Sequence, residues 1–280
     1  MHKGFRAICL FFGMVCTLAC AAQDPLQLLR SNNVKELDHL LTNVQQQFEQ
    51  GSLSETELRN AYRPFYELDE QAAGNLTRWV SDFPTSYVAH LALGIYFKKR
   101  GLSSRGDEYI ANTSTAEIAE MSKYYGVAVE ALRASLSLTA KPFLSVFHLM
   151  TISTQFGDRA QTKALLSRAN AMLPTNSLVR NRYATSLTPR WGGNYEELRQ
   201  FIEDTKNERL PPSVVIQLEA LEQEDLGLTD VERGRNDAAL RHFRESLKLA
   251  ETVKGTFAAD FLNIARYYGC PWSLAPLSCQ

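Results

Sequence analysis

Two helices separated by a Gly-Asp break and closed by a proline, over residues 143–176, constrain this chain more than any other stretch. An apolar helix begins at Phe143, Gly157-Asp158 interrupts it, a second helix carries Leu166, Ala169 and Leu173, and Pro174 ends the unit. Counting back from Pro174 by the roughly 34 residues of a helix–turn–helix repeat lands on Ala140. That residue ends another helical run, 128–138, of similar Ala/Leu pattern. A helix pair of this size cannot bury its apolar stripe alone, so the pattern predicts that neighbouring pairs stack to make a core.

The rest of the chain agrees. Helical period runs through nearly every segment after the first two dozen residues, and no strand alternation or hairpin dipeptide stands out. Asp24-Pro25 reads as an N-cap followed by Pro at the first helical position. Asn33 with Glu36, Ser54 with Glu57, Ser114 with Glu117 and Asn194 with Glu197 have the spacing of capping boxes. Pro64 is expected to kink or split the helix that starts after Ser54. The helix from Tyr87 is expected to close at Gly101, leaving 102–113 as an insertion rich in Gly, Ser and charge. Placing Pro84 at the end of a unit puts Leu93, Gly94 and Phe97 at the positions where a tetratricopeptide repeat has its Leu, Gly and Tyr. Gly234, Ala239, Phe243, Ser246 and Leu249 follow the spacing of a second repeat half. The expected fold class is therefore all-α, a tetratricopeptide-like α-solenoid of antiparallel helix pairs over 23–280, with a helix at 256–268 and an irregular C-terminal cap.

Residues 1–22 read as a secretory signal: Lys3 and Arg6, an apolar run over 7–18, and the small-residue exit Ala19-Cys20-Ala21-Ala22. The apolar run is too short to span a hydrocarbon layer of about 30 Å as a helix. Leu18-Ala19-Cys20 resembles the end of a bacterial lipobox, although Thr17 stands where an aliphatic residue is usual. Lipidation at Cys20 is the alternative to cleavage after Ala21 or Ala22. Cleavage leaves two cysteines, Cys270 and Cys279, which an oxidising compartment is expected to close into a disulfide, the alternative being two free thiols. The expected location is the periplasm, with an outer-membrane lipoprotein as the alternative; the membrane is approached only through Cys20. A formal net charge of −1 supplies no broad basic field, which argues against nucleic acid.

At Pro189-Arg190-Trp191-Gly192-Gly193-Asn194-Tyr195 the chain resembles a bacterial, tetratricopeptide-related family known by a domain of unknown function, number 4034 in that series, whose members read P-R-W-G-G-S-Y. Phe83-Pro84-Thr85-Ser86-Tyr87, with His90, Ala92, Leu93, Gly94 and Tyr96 and later Arg105-Gly106, is similar to the family's other recurrent block. The likeness extends over roughly 76–249. The resemblance implies the fold and brings no activity, cofactor or partner with it.

Candidate binding residues fall in three groups. His90, Tyr96, Lys98, Lys99, Arg100 and Arg105 gather on one helix and its following loop, where convergent donors suit a carboxylate or phosphate, although cations in a last helical turn also suit the helix dipole. Asn181 and Arg182 sit on a helix of the kind that lines the groove of such arrays, but Leu144, Phe147, Thr151 and Thr154 occupy the preceding unit. That favours a groove for an apolar or mixed peptide. Arg190 and Trp191 offer a planar cation and an indole, with packing of the indole over the helix junction the preferred reading. No His or Cys pair has metal-ligand spacing, and neither a nucleophile elbow nor a phosphate-cradling Gly loop occurs. No cofactor is expected. The function these features favour is a non-catalytic scaffold for a protein or peptide partner in the cell envelope. The alternative is an enzyme with a pocket around His90, Arg105 and Trp191.

Overall fold

The computed structural model describes residues 24–106 and 113–253. The signal segment with Cys20, the expected helix at 256–268 and the Cys270–Cys279 pair lie outside the described residues. Those residues form an all-α protein with no strand among them. The helices are α1 (Pro25–Arg30), α2 (Val34–Glu49), α3 (Glu55–Ala61), α4 (Glu70–Asp82), α5 (Tyr87–Arg105), α6 (Thr115–Ser135), α7 (Phe143–Gln155), α8 (Arg159–Met172), α9 (Leu178–Ser186), α10 (Tyr195–Asn207), α11 (Pro212–Glu232) and α12 (Asn236–Glu251).

Local chemistry accounts for most of these limits. Asp24, Ser54, Asp69, Ser86, Ser114, Asp158 and Asn194 each accept a backbone N–H at the start of a helix. At Ser54 and Ser114 the Glu three residues on reaches back, completing the box. Asn33 differs: its amide donates to the Glu36 carboxylate at 2.7 Å, and the Asn33 side chain does not cap the backbone. Asn194 caps Glu197 N–H, but the Glu197 carboxylate is drawn to Arg159 instead of back to the cap. Pro64 does split its helix, since α3 ends at Ala61 and a 3-10 turn, Arg63–Tyr66, follows. Ser54→Ala removes an exposed cap and is expected to cost about 1 kcal/mol, measured as a lower urea midpoint at constant slope; an unchanged midpoint would mean that water replaces the cap at no cost.

The expected stop at Gly101 is not one. The α5 helix continues to Arg105 and ends at Gly106, whose φ of +73° suits a residue without a Cβ. Gly101 is glycine for packing: a Cβ there would sit 2.5 Å from the Tyr125 ring on α6. Gly94 serves the same purpose two turns earlier, where a Cβ would meet Leu132 at 2.5 Å, and Gly227 does so against Phe243 between α11 and α12. These small residues let α5 lie on α6, and α11 on α12, at close range.

Consecutive helices pack as α5 with α6, α7 with α8 and α11 with α12, while α5, α7, α9 and α11 form a row in which each touches the next. One hydrophobic cluster runs from Leu28 to Val179, with Trp79, Phe65, Tyr62, Phe143 and Tyr125 buried in it. The Trp79 indole N–H donates to Asp38 Oδ1 at 3.0 Å, so its one polar atom is satisfied inside the core. A second cluster, with Leu198, Ile202, Leu218 and Leu221, lies under α9–α12. The α7 helix is buried from Phe143 to Thr154. Leu144, Phe147 and Thr151 therefore do not line an open groove for an apolar peptide, since α3 and the turn after it reach over to Phe147 and His148, whereas Thr154 lines a cleft with Tyr183 and Leu187.

Candidate functional site

What those residues bring to α7 is positive charge. Arg59 on α3 places its guanidinium carbon 5.7 Å from the centre of the Phe147 ring, and Arg182 on α9 lies at the same 5.7 Å from that ring. Lys98 on α5 sets its ammonium 4.9 Å from the Tyr66 ring. The Tyr66 hydroxyl is 3.3 Å from His148 Nε2 on α7, next to Phe147. Thus α3, the 3-10 turn, α5, α7 and α9 each contribute one or two side chains to a single enclosure. Arg59, Tyr66 and Arg182 keep some of their surface exposed, whereas Lys98 and His148 are buried.

A buried carboxyl fixes this geometry. Glu55 Oε1 accepts the backbone N–H groups of Ser177 at 2.6 Å and Leu178 at 3.1 Å, joining the first turn of α3 to the first turn of α9. Arg59 lies four residues beyond Glu55 and Arg182 four beyond Leu178, one helical turn in each case, so the junction carries both guanidinium groups to the same ring. Burial pushes the Glu55 carboxyl up to about 7, although both N–H donors favour its charged form.

The electrostatics have one sign. Lys98 is pushed down to about 7, first by burial and then by the positive charges of Arg182, Arg59 and Lys99. His148 is held well below the usual imidazole range by burial and then by Lys98, Arg59 and Arg182, so it is neutral. Burial raises Tyr66, while Arg59 and Arg182 act against that rise. Among the described residues no ion pair reaches Arg59, Lys98 or Arg182. Two buried nitrogens here, Arg182 Nε and His148 Nδ1, have no hydrogen-bond partner.

The other cations are treated differently. Arg180, two residues before Arg182 and 1% exposed, is held by Glu208 at 2.5 Å and by the Pro174 carbonyl at 3.2 Å. Arg190 meets Asp225 at 3.3 Å and Glu232 at 3.4 Å, so this cation of the Pro189–Gly193 turn is engaged with α11. Asn181 donates to Gln217 at 2.9 Å. His90 bonds the Pro84 carbonyl at 3.0 Å and secures the entry to α5. Tyr96 is buried with its ring edge-on to Phe97, and Arg100 lies over Tyr124 at 5.5 Å. Arg105 donates to Gln155 at 2.7 Å, and its charge and that of Arg182 both act on Tyr125, which places it beside the enclosure. Trp191 lines a separate cleft of about 320 Å³ with Tyr183, Leu187, Arg159 and Lys163, and neither His90 nor Arg105 lines that cleft.

Of the ten candidate binding residues named from the sequence, the enclosure takes Lys98 and Arg182, with Arg105 at its edge. Lys98 belongs to the basic helix end, but its position is more informative than its neighbours: with Leu91 and Ile95 it falls on the apolar stripe of α5, where a cation needs a reason. Arg59, Tyr66 and His148 carry no such signal, since contacts between distant segments bring them together, as in the Tyr66–His148 contact with its separation of 82. No group of three His, Cys, Asp or Glu side chains among the described residues is arranged to hold a metal, and none of their helices is long and apolar enough to cross a membrane.

Residues 21–171 match the family model described as Domain of unknown function (DUF4034). The matched span ends at the close of α8 and so contains Arg59, Tyr66, Lys98 and His148 but not Arg182, nor the Pro189–Gly193 turn that carries the motif resemblance. No curated protein and no solved structure matches the chain.

Proposed function

Since the chain belongs to the DUF4034 family, which brings no activity with it, we propose that it is a non-catalytic binding scaffold: an exported, tetratricopeptide-like α-solenoid that holds a protein or peptide partner in the bacterial cell envelope. The row α5–α7–α9–α11, with α6, α8 and α12 packed against α5, α7 and α11, supports the solenoid reading. The observation that carries the binding reading is the set of cations on that row, Lys98 and Arg182, joined by Arg59 from α3 and left without a carboxylate among the described residues. Folding alone does not favour such a set, because burying like charges without partners is unfavourable. A bound anionic group offsets that cost. Periplasmic location follows from the signal-like residues 1–22, with lipidation at Cys20 as the variant of it and a Cys270–Cys279 disulfide closing the tail.

The partner's contact is polar. With Phe147 and Thr151 covered, the accessible groups are Arg59, Tyr66, Arg182, Arg105 and Gln155, which suits a charged chain end or side chain more than an apolar strip. Capture from envelope extract on the immobilised mature chain, beside Arg182→Glu and Arg168→Glu, tests this. Arg168 lies on the exposed face of α8 and bonds only the Leu136 carbonyl. A partner retained by the natural chain and by Arg168→Glu, and lost with Arg182→Glu, is expected. Equal retention by all three would remove the assignment of the binding face.

A further inference from the structure

We propose that the enclosure of Arg59, Tyr66, Lys98, His148 and Arg182 is a binding site for a compact, doubly charged oxyanion, either a phosphate monoester or a dicarboxylate such as the C-terminal aspartate of a peptide. The inference deepens the scaffold reading and rests on it only for the peptide source of the anion.

Charge sets the valence. Two guanidinium groups and an ammonium face one region, and the nearest rings are those of Phe147 and Tyr66, which supply attraction through their faces but no countercharge. His148 is neutral and adds none. A dianion balances the two arginines, and its approach restores the proton that Lys98 gives up near neutral pH, since a nearby negative charge favours the ammonium. A single carboxylate would leave the set under-compensated.

Donor geometry points to an oxyanion instead of a halide. Guanidinium groups present paired N–H donors that match two oxygens of one phosphate or carboxylate. Arg182 Nε is buried and unpartnered, so this edge of the fork is free of any hydrogen bond within the described fold. The Tyr66 hydroxyl and His148 Nε2 share one hydrogen bond, so this neutral pair adds one further donor: His148 Nδ1–H when the hydroxyl donates to Nε2, or the hydroxyl when Nε2–H donates to it. Several other arginines of the chain are paired with acidic side chains: Arg30 with Asp69, Arg159 with Glu197, Arg180 with Glu208, Arg199 with Glu222 and Arg235 with Asp230. Within the described residues none is paired with Arg59 or Arg182. The enclosure is also composite, and the Glu55 bonds to the Ser177 and Leu178 N–H groups tie the start of α9, the helix that carries Arg182, to α3, the helix that carries Arg59.

The test is calorimetric titration of the full mature chain at constant ionic strength in chloride, with inorganic phosphate, succinate, and a short peptide ending in aspartate beside the same peptide as its C-terminal amide. Saturable binding of at least one dianion with one site per chain is expected, weakened roughly tenfold or more by Lys98→Met and by Arg182→Gln, as for loss of one partner of a buried charged contact. Melting of the ligand-free variants is measured alongside. Weakened binding in a Lys98→Met protein that melts no lower than the natural chain assigns the loss to the site and not to unfolding. Preference for the acid peptide over its amide identifies a chain end as the source of the anion. Binding of phosphate alone keeps the site and removes the peptide scaffold. Failure of all three dianions to saturate, or affinities unchanged in both variants, overturns the proposal, and partner capture that persists in Lys98→Met does so while leaving the scaffold reading intact.

Discussion

Lys98→Met is expected to stabilise the ligand-free protein, by on the order of 3–5 kcal/mol at pH 6 and by much less at pH 9. The sign follows from linkage. The Lys98 ammonium is pushed down to about 7 in the fold, against an ordinary value of 10.5. Between these two values the unfolded chain binds more protons than the folded one, so the stability of the natural protein rises with pH across this window. Below about pH 7 the folded protein carries the full cost of a buried ammonium near two guanidinium groups, and the variant is free of it. Methionine keeps an unbranched stem of similar length, and the lost contact with the Tyr66 ring is worth only about 0.5–2 kcal/mol. Urea unfolding at pH 6 and pH 9, in a buffer without phosphate or carboxylate, measures both numbers. A variant less stable than the natural chain at pH 6, or a difference independent of pH, would show that Lys98 is not the buried, uncompensated cation described above.

The second large effect lies in the turn between α9 and α10. A Cβ on Gly193 would sit 2.1 Å from the Leu187 carbonyl oxygen and 2.4 Å from its carbon, both backbone atoms, so no rotamer change relieves the clash. The same turn is closed by Gly193 N–H donating to the Thr188 carbonyl at 3.1 Å. Gly193→Ala must open it and is expected to cost about 2–4 kcal/mol, in the range of substitutions that strain a special backbone position. Gly192, with φ of +83° but open space around its Cα, makes the internal comparison: Gly192→Ala is expected to cost about 1 kcal/mol through conformation alone. Thermal melts of the two variants in parallel check the order. Equal losses would mean that the close approach of Leu187 to Gly193 contributes nothing.

Glycine also shows how far a sequence can be read. Gly192-Gly193 has the look of one permissive turn, yet one residue is glycine for its φ and its neighbour for a contact with a backbone six residues away. Gly101, after three cations, has the local chemistry of a helix stop, and only the Tyr125 ring, from a helix begun after an insertion, explains why α5 runs through it. The fold is legible because caps, breaks and apolar spacing act within one or two turns, and α7–α8, bounded by Gly157 and Pro174, follow them closely.

The enclosure is legible only in pieces. Arg182 stands out for its place on a row-lining helix and Lys98 as one of several cations. What joins them is Arg59 and Tyr66, delivered by a segment whose position depends on Pro64, on the core around Phe65 and Trp79, and on Glu55 reaching α9. None of these long-range placements leaves a periodic trace in the sequence. Arg190 fails the other way: it stands in the most distinctive motif, and Asp225 and Glu232, more than thirty residues further along, engage it.

The bond from Glu55 to Ser177 spans 122 residues. In a stack held only by neighbours, each unit completes as soon as the next is made, and shortening the array subtracts one unit at a time. Here the third helix completes its environment only when the ninth has been synthesised and docked. Until then Phe147 lacks Arg182 above it, and the Glu55 carboxyl has no donor. The chain therefore forms its most central contacts late, at a separation that slows folding, and a fragment cut at residue 171 would retain every helix of the matched family span while lacking the element that locks them together.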